Sequence, residues 1–203
     1  MKIFVLLPRI PWPLEKGDKL RAYNQIKQLA VNNEVILCAL NTDKNLDKEA
    51  AHKALQPFCS SVTFIDLGTF SILFNIARAF LKRIPIQCGY FYNKKAHKEI
   101  HNLIEKHKPD MLFGQLLRVA EYIRYEKTPK TIDYQDVLSM GMKRRSEIAA
   151  FYLKPIFSME YNRLRRYEHD IFDDFDVKTI ICIPDRDLID HPDKNEILIY
   201  ALY

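Results

Sequence analysis

Six short apolar runs punctuate the chain: KIFVLLP from Lys2, EVILCAL from Glu34, SVTFIDL from Ser61, DMLFGQ from Asp110, KTIDYQD from Lys130 and VKTIICI from Val177. They are rich in Ile, Val, Leu and Phe and do not alternate cleanly with polar residues. A strand with one wet face alternates, whereas a strand covered on both faces need not. The runs therefore predict buried parallel strands. Between them the period changes. Leu20, Tyr23, Ile26 and Leu29 recur at helical spacing between Asp18 and Asn32, with Asp18 as the expected N-cap. Ala96, Ile100, Leu103 and Ile104 form a second stripe that stops before Pro109, and Phe157, Tyr161, Leu164 and Ile171 form a third. Strands alternating with helices predict βαβ units with right-handed crossovers. The expected fold is α/β: a Rossmann-like, doubly wound parallel sheet in three α/β/α layers.

Composition narrows the class only a little. The chain has 203 residues, 48% of them hydrophobic, which suits one large domain with a sizeable core. The net charge of +5 is compatible with an anionic ligand, nucleic acid or an anionic membrane, and chooses none of them. The cysteines, Cys38, Cys59, Cys88 and Cys182, are widely spaced and include no CxxC pair, which points to reduced thiols and a cytoplasmic protein. The opening MKIFVLLP carries too short an apolar run for a signal-peptide core or a membrane span.

The segment PRIPWPLEKGDKLRAY, from Pro8 to Tyr23, follows the first strand. In a doubly wound sheet, ligands sit at the carboxyl ends of the strands, so this loop is well placed. Gly17 permits close backbone approach or a positive φ. The helix that follows offers unpaired N–H groups and a positive dipole end, with Lys19 and Arg21 close by. Neither G-x-G-x-x-G nor G-x-x-x-x-G-K-[ST] occurs, so this is no dinucleotide or P-loop fingerprint. The plain alternative is a helix start with a glycine before an Asp cap.

PRIPWPLEKGDKLRAYNQIKQLAVNNEVILCAL resembles the N-terminus of GT-B glycosyltransferases of the large retaining group called family 4. It is similar, more narrowly, to the sugar transferases associated with bacterial exopolysaccharide systems. Those proteins carry a P-x-P-P-x-x-G-D-x-x-R loop before a helix. DYQDVLSMGMKRRSE resembles the family's strand followed by D-x-x-S, EYNRLRRYEHDIFDDFD its arginine-rich helix, and CIPDRDLI its strand leading into D-R-x-x-L. The resemblance implies two Rossmann-like domains facing across a cleft, the first binding the acceptor and the second the nucleotide-sugar. It places Gly17, with Asp18, Lys19 and Arg21, in the loop over the donor diphosphate and acceptor. It places Asp136 and Ser139 on the cleft rim, and it implies neither a metal nor another cofactor beyond the nucleotide-sugar substrate. The family's P-N-G-V-D, which opens the donor domain, does not follow NEILIYALY. Residues 1–203 are therefore expected to be one GT-B half, the acceptor side, without the donor domain and inactive by itself.

Other features are weighed on their own chemistry. FSILFNIARAFLKRIPIQCGYFY, from Phe70, reads either as a buried crossover helix or as a membrane contact with Arg78, Lys82 and Arg83 on anionic headgroups. Tyr90, Phe91 and Tyr92 could wall an acceptor or simply pack. The clusters Lys143, Arg144, Arg145 and Arg163, Arg165, Arg166 read as solvated helix faces or lipid-phosphate contacts, and no nucleic-acid-binding module is recognisable. His97 and His101 share metal-ligand spacing but lack H-E-x-x-H, which favours a solvated helix. Glu160 and Glu168 copy the family's E-x7-E donor spacing inside the arginine-rich helix, and are expected to form surface ion pairs there. The leading expectation is the acceptor-binding half of a transferase acting on a glycan or lipid-linked acceptor. A second is a non-enzymatic membrane-docking scaffold that recruits a separate donor-domain chain. A third is a small nucleotide-binding regulatory domain.

Overall fold

The computed structural model describes residues 1–81 and 83–200. In chain order the regular elements are β1 (Lys2–Leu7), α1 (Gly17–Ala30), β2 (Glu34–Asn41), α2 (Lys48–Leu55), β3 (Ser61–Asp66), α3 (Thr69–Leu81), α4 (Ile86–Phe91) and α5 (Lys94–His107). There follow β4 (Met111–Gln115), α6 (Ala120–Ile123), β5 (Lys130–Asp133), α7 (Leu138–Ile148), α8 (Lys154–Asp170), β6 (Val177–Ile180), α9 (Ile183–Leu188) and β7 (Leu198–Ile199). Among the described residues they form one seven-stranded sheet in the order β3-β2-β1-β4-β5-β6-β7. Every pairing is parallel, with Ile3 opposite Val35 on one side and Met111 on the other.

The unbroken apolar runs now have their cause. In β1, Phe4 and Leu6 point into one core cluster while Ile3, Val5 and Leu7 point into another. In β2, Ile36, Cys38 and Leu40 join the first cluster and Val35, Leu37 and Ala39 the second. Helices α1 and α2 cover one face, and α3 to α8 supply the cover of the other. Each large side chain taken from water contributes about 1.5–3 kcal/mol, so both faces must be apolar for both layers to stay attached.

The winding reverses between β1 and β4. Successive strands run outward from β1 to β3, then return to the other side of β1 and run outward again. The crevice at the carboxyl ends of β1 and β4 is the switch point where such folds hold ligands. Two residues just past strand ends on this edge have left-handed backbone: Leu116 after β4 at φ 64°, and Gln135 after β5 at φ 60°. Leu116 combines its φ with ψ 150°, a region almost reserved for glycine.

The far face depends on one close helix contact. A Cβ added at Gly89 in α4 would overlap the Ala79 Cβ of α3 and crowd the Asn75 carbonyl. Neither neighbour is the free end of a flexible side chain. Gly89→Ala is therefore expected to cost about 1–3 kcal/mol, seen as a lower urea midpoint with an unchanged slope.

Candidate functional site

The loop after β1 is cinched to the first turn of α1. Arg9 pairs with Asp18 at 3.2 Å, and Lys19 donates from Nζ to the Trp12 carbonyl at 3.2 Å. Trp12 in turn packs against Tyr23, with ring centroids 6.2 Å apart. Asp18 is not the N-cap. Lys16 holds that position without a side-chain cap, and Asp18 sits one step inside the helix, its Oδ1 accepting from the Lys19 N–H. Gly17 does not have a positive φ, and a Cβ there would meet nothing within 4 Å. Packing does not demand this glycine; it leaves open space beside the helix start.

Arg21 is no loose cation. Its Nε lies 3.4 Å from Asp133 Oδ2, and its Nη2 donates to the Tyr200 carbonyl at 2.7 Å. Asp133, at the end of β5, is fully buried and anchors a polar network beneath the rim. Gln25 donates to Asp133 Oδ2 at 2.7 Å, Thr179 donates to Oδ1 at 3.0 Å, and Gln115 donates to Gln25 at 3.1 Å. The network ties α1 to the ends of β4, β5 and β6.

Two pockets open on this edge. The first, of about 400 Å³, is lined by Gly17, Asp18 and Arg21 from α1 and by Gln135, Asp136 and Ile181 from the ends of β5 and β6. The second, of about 480 Å³, shares the Asp136 wall and lies between Arg9, Arg118, the α4 residues Gln87 and Tyr90, and Gly141 and Arg145 of α7. Asp136 reaches solvent but is set among protein atoms. That desolvation raises its carboxyl pKa, against the lowering pull of Arg118. Lys19 lines a separate small hollow near the end of β2. Ser139, expected on the rim beside Asp136, lies beneath it: it is 2% exposed and donates from Oγ to Glu168 at 2.6 Å.

Glu160 and Glu168 do not make surface ion pairs. Both are buried on the core side of α8, and each binds the start of another helix. Glu160 accepts from the Ile86 and Gln87 N–H groups at 2.9 and 3.1 Å, and Glu168 accepts from the Ser139 N–H at 3.0 Å. A carboxylate at a helix start satisfies orphan N–H groups and meets the positive dipole end. Through these two side chains α8 sets the positions of α4 and α7, the two helices that wall the second pocket. Burial pushes the Glu168 carboxyl up to about 7, against the lowering hydrogen bonds from Ser139.

Arg118 and Gln87 carry no distinguishing motif in the sequence, and Arg145 stands only in a basic cluster read as a solvated helix face or a lipid-phosphate contact. One signal was available for Arg118: it stands three residues beyond β4, at the switch point. Tyr90 and Phe91 line the second pocket, whereas Tyr92 packs on Tyr122 and under Arg78, 5.6 Å from its ring. His101 hydrogen-bonds Glu126 at 2.8 Å, and His97 packs against the Tyr92 and Tyr122 rings. Among the described residues no cluster of three or more His, Cys, Asp or Glu side chains could hold a metal ion.

The sheet order, both helical layers and the crevice at the switch point define a Rossmann-like α/β fold. The chain is similar to Medicago truncatula UGT71G1 complexed with UDP-glucose, with a TM-score of 0.55 and 13% identity, over 100% of this chain and 51% of that one. It is similar to Phytolacca americana UGT2 complexed with UDP-2fluoro-glucose and pterostilbene, with a TM-score of 0.51 and 11% identity, over 99% and 54% of the two chains. It is also similar to UDP-GlcNAc 2-epimerase from Neisseria meningitidis bound to UDP-GlcNAc, with a TM-score of 0.51 and 11% identity, over 98% and 46%. The chain thus spans about half the length of each of these structures. No protein-family model and no curated protein matches the sequence.

Proposed function

We propose that this chain is the acceptor-side half of a glycosyltransferase that moves a sugar from a nucleotide-sugar to a glycan or lipid-linked acceptor. The observation that carries the reading is the pocket shared by Gly17, Asp18, Arg21 and Asp136. It joins the loop after the first strand to the D-x-x-S segment after the fifth, two of the four segments in which the sequence resembles family 4. The fold likeness is compatible with it, since two of the similar structures are complexes with UDP-glucose or a fluorinated analogue of it.

In this reading Arg21 and Asp133 hold α1 in place, so that its uncapped start faces a neighbouring phosphate. Asp136 accepts a hydrogen bond from an acceptor hydroxyl and orients it. A hydrogen bond to a charged group is worth about 1.5–3 kcal/mol, so Asp136→Ala is expected to weaken binding of a saccharide acceptor about tenfold or more, measured by saturation-transfer NMR over a saccharide panel. Equal affinity in wild type and Asp136→Ala would remove Asp136 from the acceptor site. Residues 1–203 alone are expected to give no sugar transfer, and turnover by this chain with a nucleotide-sugar would contradict that.

One observation favours a membrane contact as a second role. Leu73, Phe74, Phe80 and Leu81 of α3 are all exposed, and Arg83 beside them is exposed too. Arg78 turns instead toward Tyr92, and Lys82 lies outside the described residues. Among the described residues no helix is long and apolar enough to cross a membrane. An apolar stripe edged by cations suits an interfacial contact with anionic lipid. Flotation with phosphatidylglycerol vesicles, abolished by Phe74→Glu, is the expected result, and failure of the wild-type chain to float would count against this role.

A further inference from the structure

We infer that the pocket between Arg9, Arg118 and Arg145 is a phosphoryl-binding subsite, which on the acceptor reading above makes the acceptor a phosphorylated saccharide. The charges in the pocket carry this. Its lining holds Arg9, Arg118 and Arg145 against a single carboxylate, Asp136. Arg9 is already shared with Asp18. Among the described residues neither Arg118 nor Arg145 has a carboxylate within ion-pair distance. The pocket therefore keeps an excess of positive charge.

Arg118 is the central group. Its Nη2 donates to Gln87 Oε1 at 3.0 Å, and its guanidinium lies over the Phe91 ring, 5.4 Å from the centroid. Its Nε is buried and has no hydrogen-bond partner among the described residues. A buried donor left unpaired destabilises the fold, and an incoming oxygen acceptor would satisfy it. Arg9 lies near the same ring, 5.9 Å from its centroid, so two like charges share the surroundings of Phe91. Burial and the nearby Arg9 charge both lower the Arg118 pKa. A bound anion supplies the counter-charge that offsets both effects.

The arrangement favours a phosphoryl group over a lone carboxylate. Arg9 comes from the β1 end, Arg118 from the β4 end and Arg145 from α7, so donors converge from three elements. A tetrahedral dianion offers oxygens in several directions, and guanidinium forks match it well. Beside the cations stand Ile86, Tyr90, Leu138 and Met142, a largely apolar wall for the carbon skeleton that carries the phosphate. Gly17 and the start of α1 border the other pocket, across Asp136, which separates this subsite from a donor diphosphate.

The test is calorimetric titration of the 203-residue chain at low salt with glucose 6-phosphate, methyl glucoside, inorganic phosphate and UDP. Glucose 6-phosphate and phosphate are expected to bind, with affinity falling about tenfold or more in Arg118→Gln and severalfold in Arg145→Gln, and unchanged in Lys53→Gln, exposed on α2 over the opposite face of the sheet. Arg145 is exposed, so its variant keeps the test valid if Arg118→Gln fails to fold. Phosphate binding that is absent, or equally weakened by Lys53→Gln, overturns the subsite. UDP binding through Arg118 more tightly than glucose 6-phosphate overturns its assignment to the acceptor. Methyl glucoside binding equally to wild type and Arg118→Gln, with no phosphate binding, refutes the subsite and leaves the acceptor reading standing. Phosphate binding through Arg118 without any saccharide preference keeps the subsite and removes the acceptor reading.

Discussion

Asp133→Ala is expected to lower the unfolding free energy by about 3–5 kcal/mol, a large share of what a domain of this size has. The carboxylate is fully buried, and four donors converge on it: Gln25 at 2.7 Å, Thr179 at 3.0 Å, the Gln135 N–H at 3.3 Å and Arg21 at 3.4 Å. Removing it leaves the Arg21 side chain, only 10% exposed, without its counter-charge, and strands the other donors in the interior. Unpaired buried charge is among the few causes of such large losses. Asp133→Asn is expected to be nearly as damaging. Its new NH2 would face the Gln25 amide, whose oxygen is already engaged by Gln115. Thermal denaturation should show a fall in Tm of about 10 °C for the alanine variant. A change within about 2 °C would mean that the network does not hold α1 to the strand ends.

The second large effect concerns pH. The Glu168 carboxyl stands at about 7 in the fold against an ordinary 4.5, chiefly because burial disfavours its charge. Between those values the folded chain keeps a proton that the unfolded chain has lost. The stability this proton brings is fully present below pH 4.5 and is lost as pH rises through about 7. The shift corresponds to ~3 kcal/mol as an upper limit. Histidines titrate in the same window, so the informative quantity is the difference from Glu168→Gln. Glutamine copies the protonated shape, still accepts from the Ser139 N–H and does not titrate. The variant is expected to match wild type at pH 5 and to exceed it in stability at pH 8. Parallel pH profiles would contradict the assignment. Glu168→Ala, lacking the cap on α7, is expected to lose about 1–3 kcal/mol across the whole range.

Much of the fold was legible because the sheet is covered on both faces. That burial writes itself into the chain as continuous apolar runs, and all six predicted runs are strands. β7 escaped notice because it is a two-residue edge strand with exposed side chains, which carries almost no pattern. Asp18 misled as a cap because Asp is favoured both at the cap and in the first turn, where it meets the same dipole. Glu160 and Glu168 misled for a related reason: a glutamate on an arginine-rich helix looks solvated. Only the tertiary packing reveals that each faces another helix start. Gly17 and Asp136 each follow a strand end in sequence, and the structure brings both to the lining of one pocket. Arg118, Gln87 and Arg145 meet through the topology alone, since they come from segments separated by about thirty residues or more.

On the proposed reading, the strand-end edge of this chain binds the acceptor and nucleotide recognition lies elsewhere. Amide chemical-shift mapping of the 15N-labelled chain tests it most directly, with UDP-glucose and glucose 6-phosphate added in separate titrations. Glucose 6-phosphate is expected to shift amides around Ile86–Phe91 and Asp136–Met142, while UDP-glucose is expected to bind no tighter than millimolar. Micromolar UDP-glucose binding at this edge, with no response there to glucose 6-phosphate, would contradict it and favour a nucleotide-binding regulatory domain.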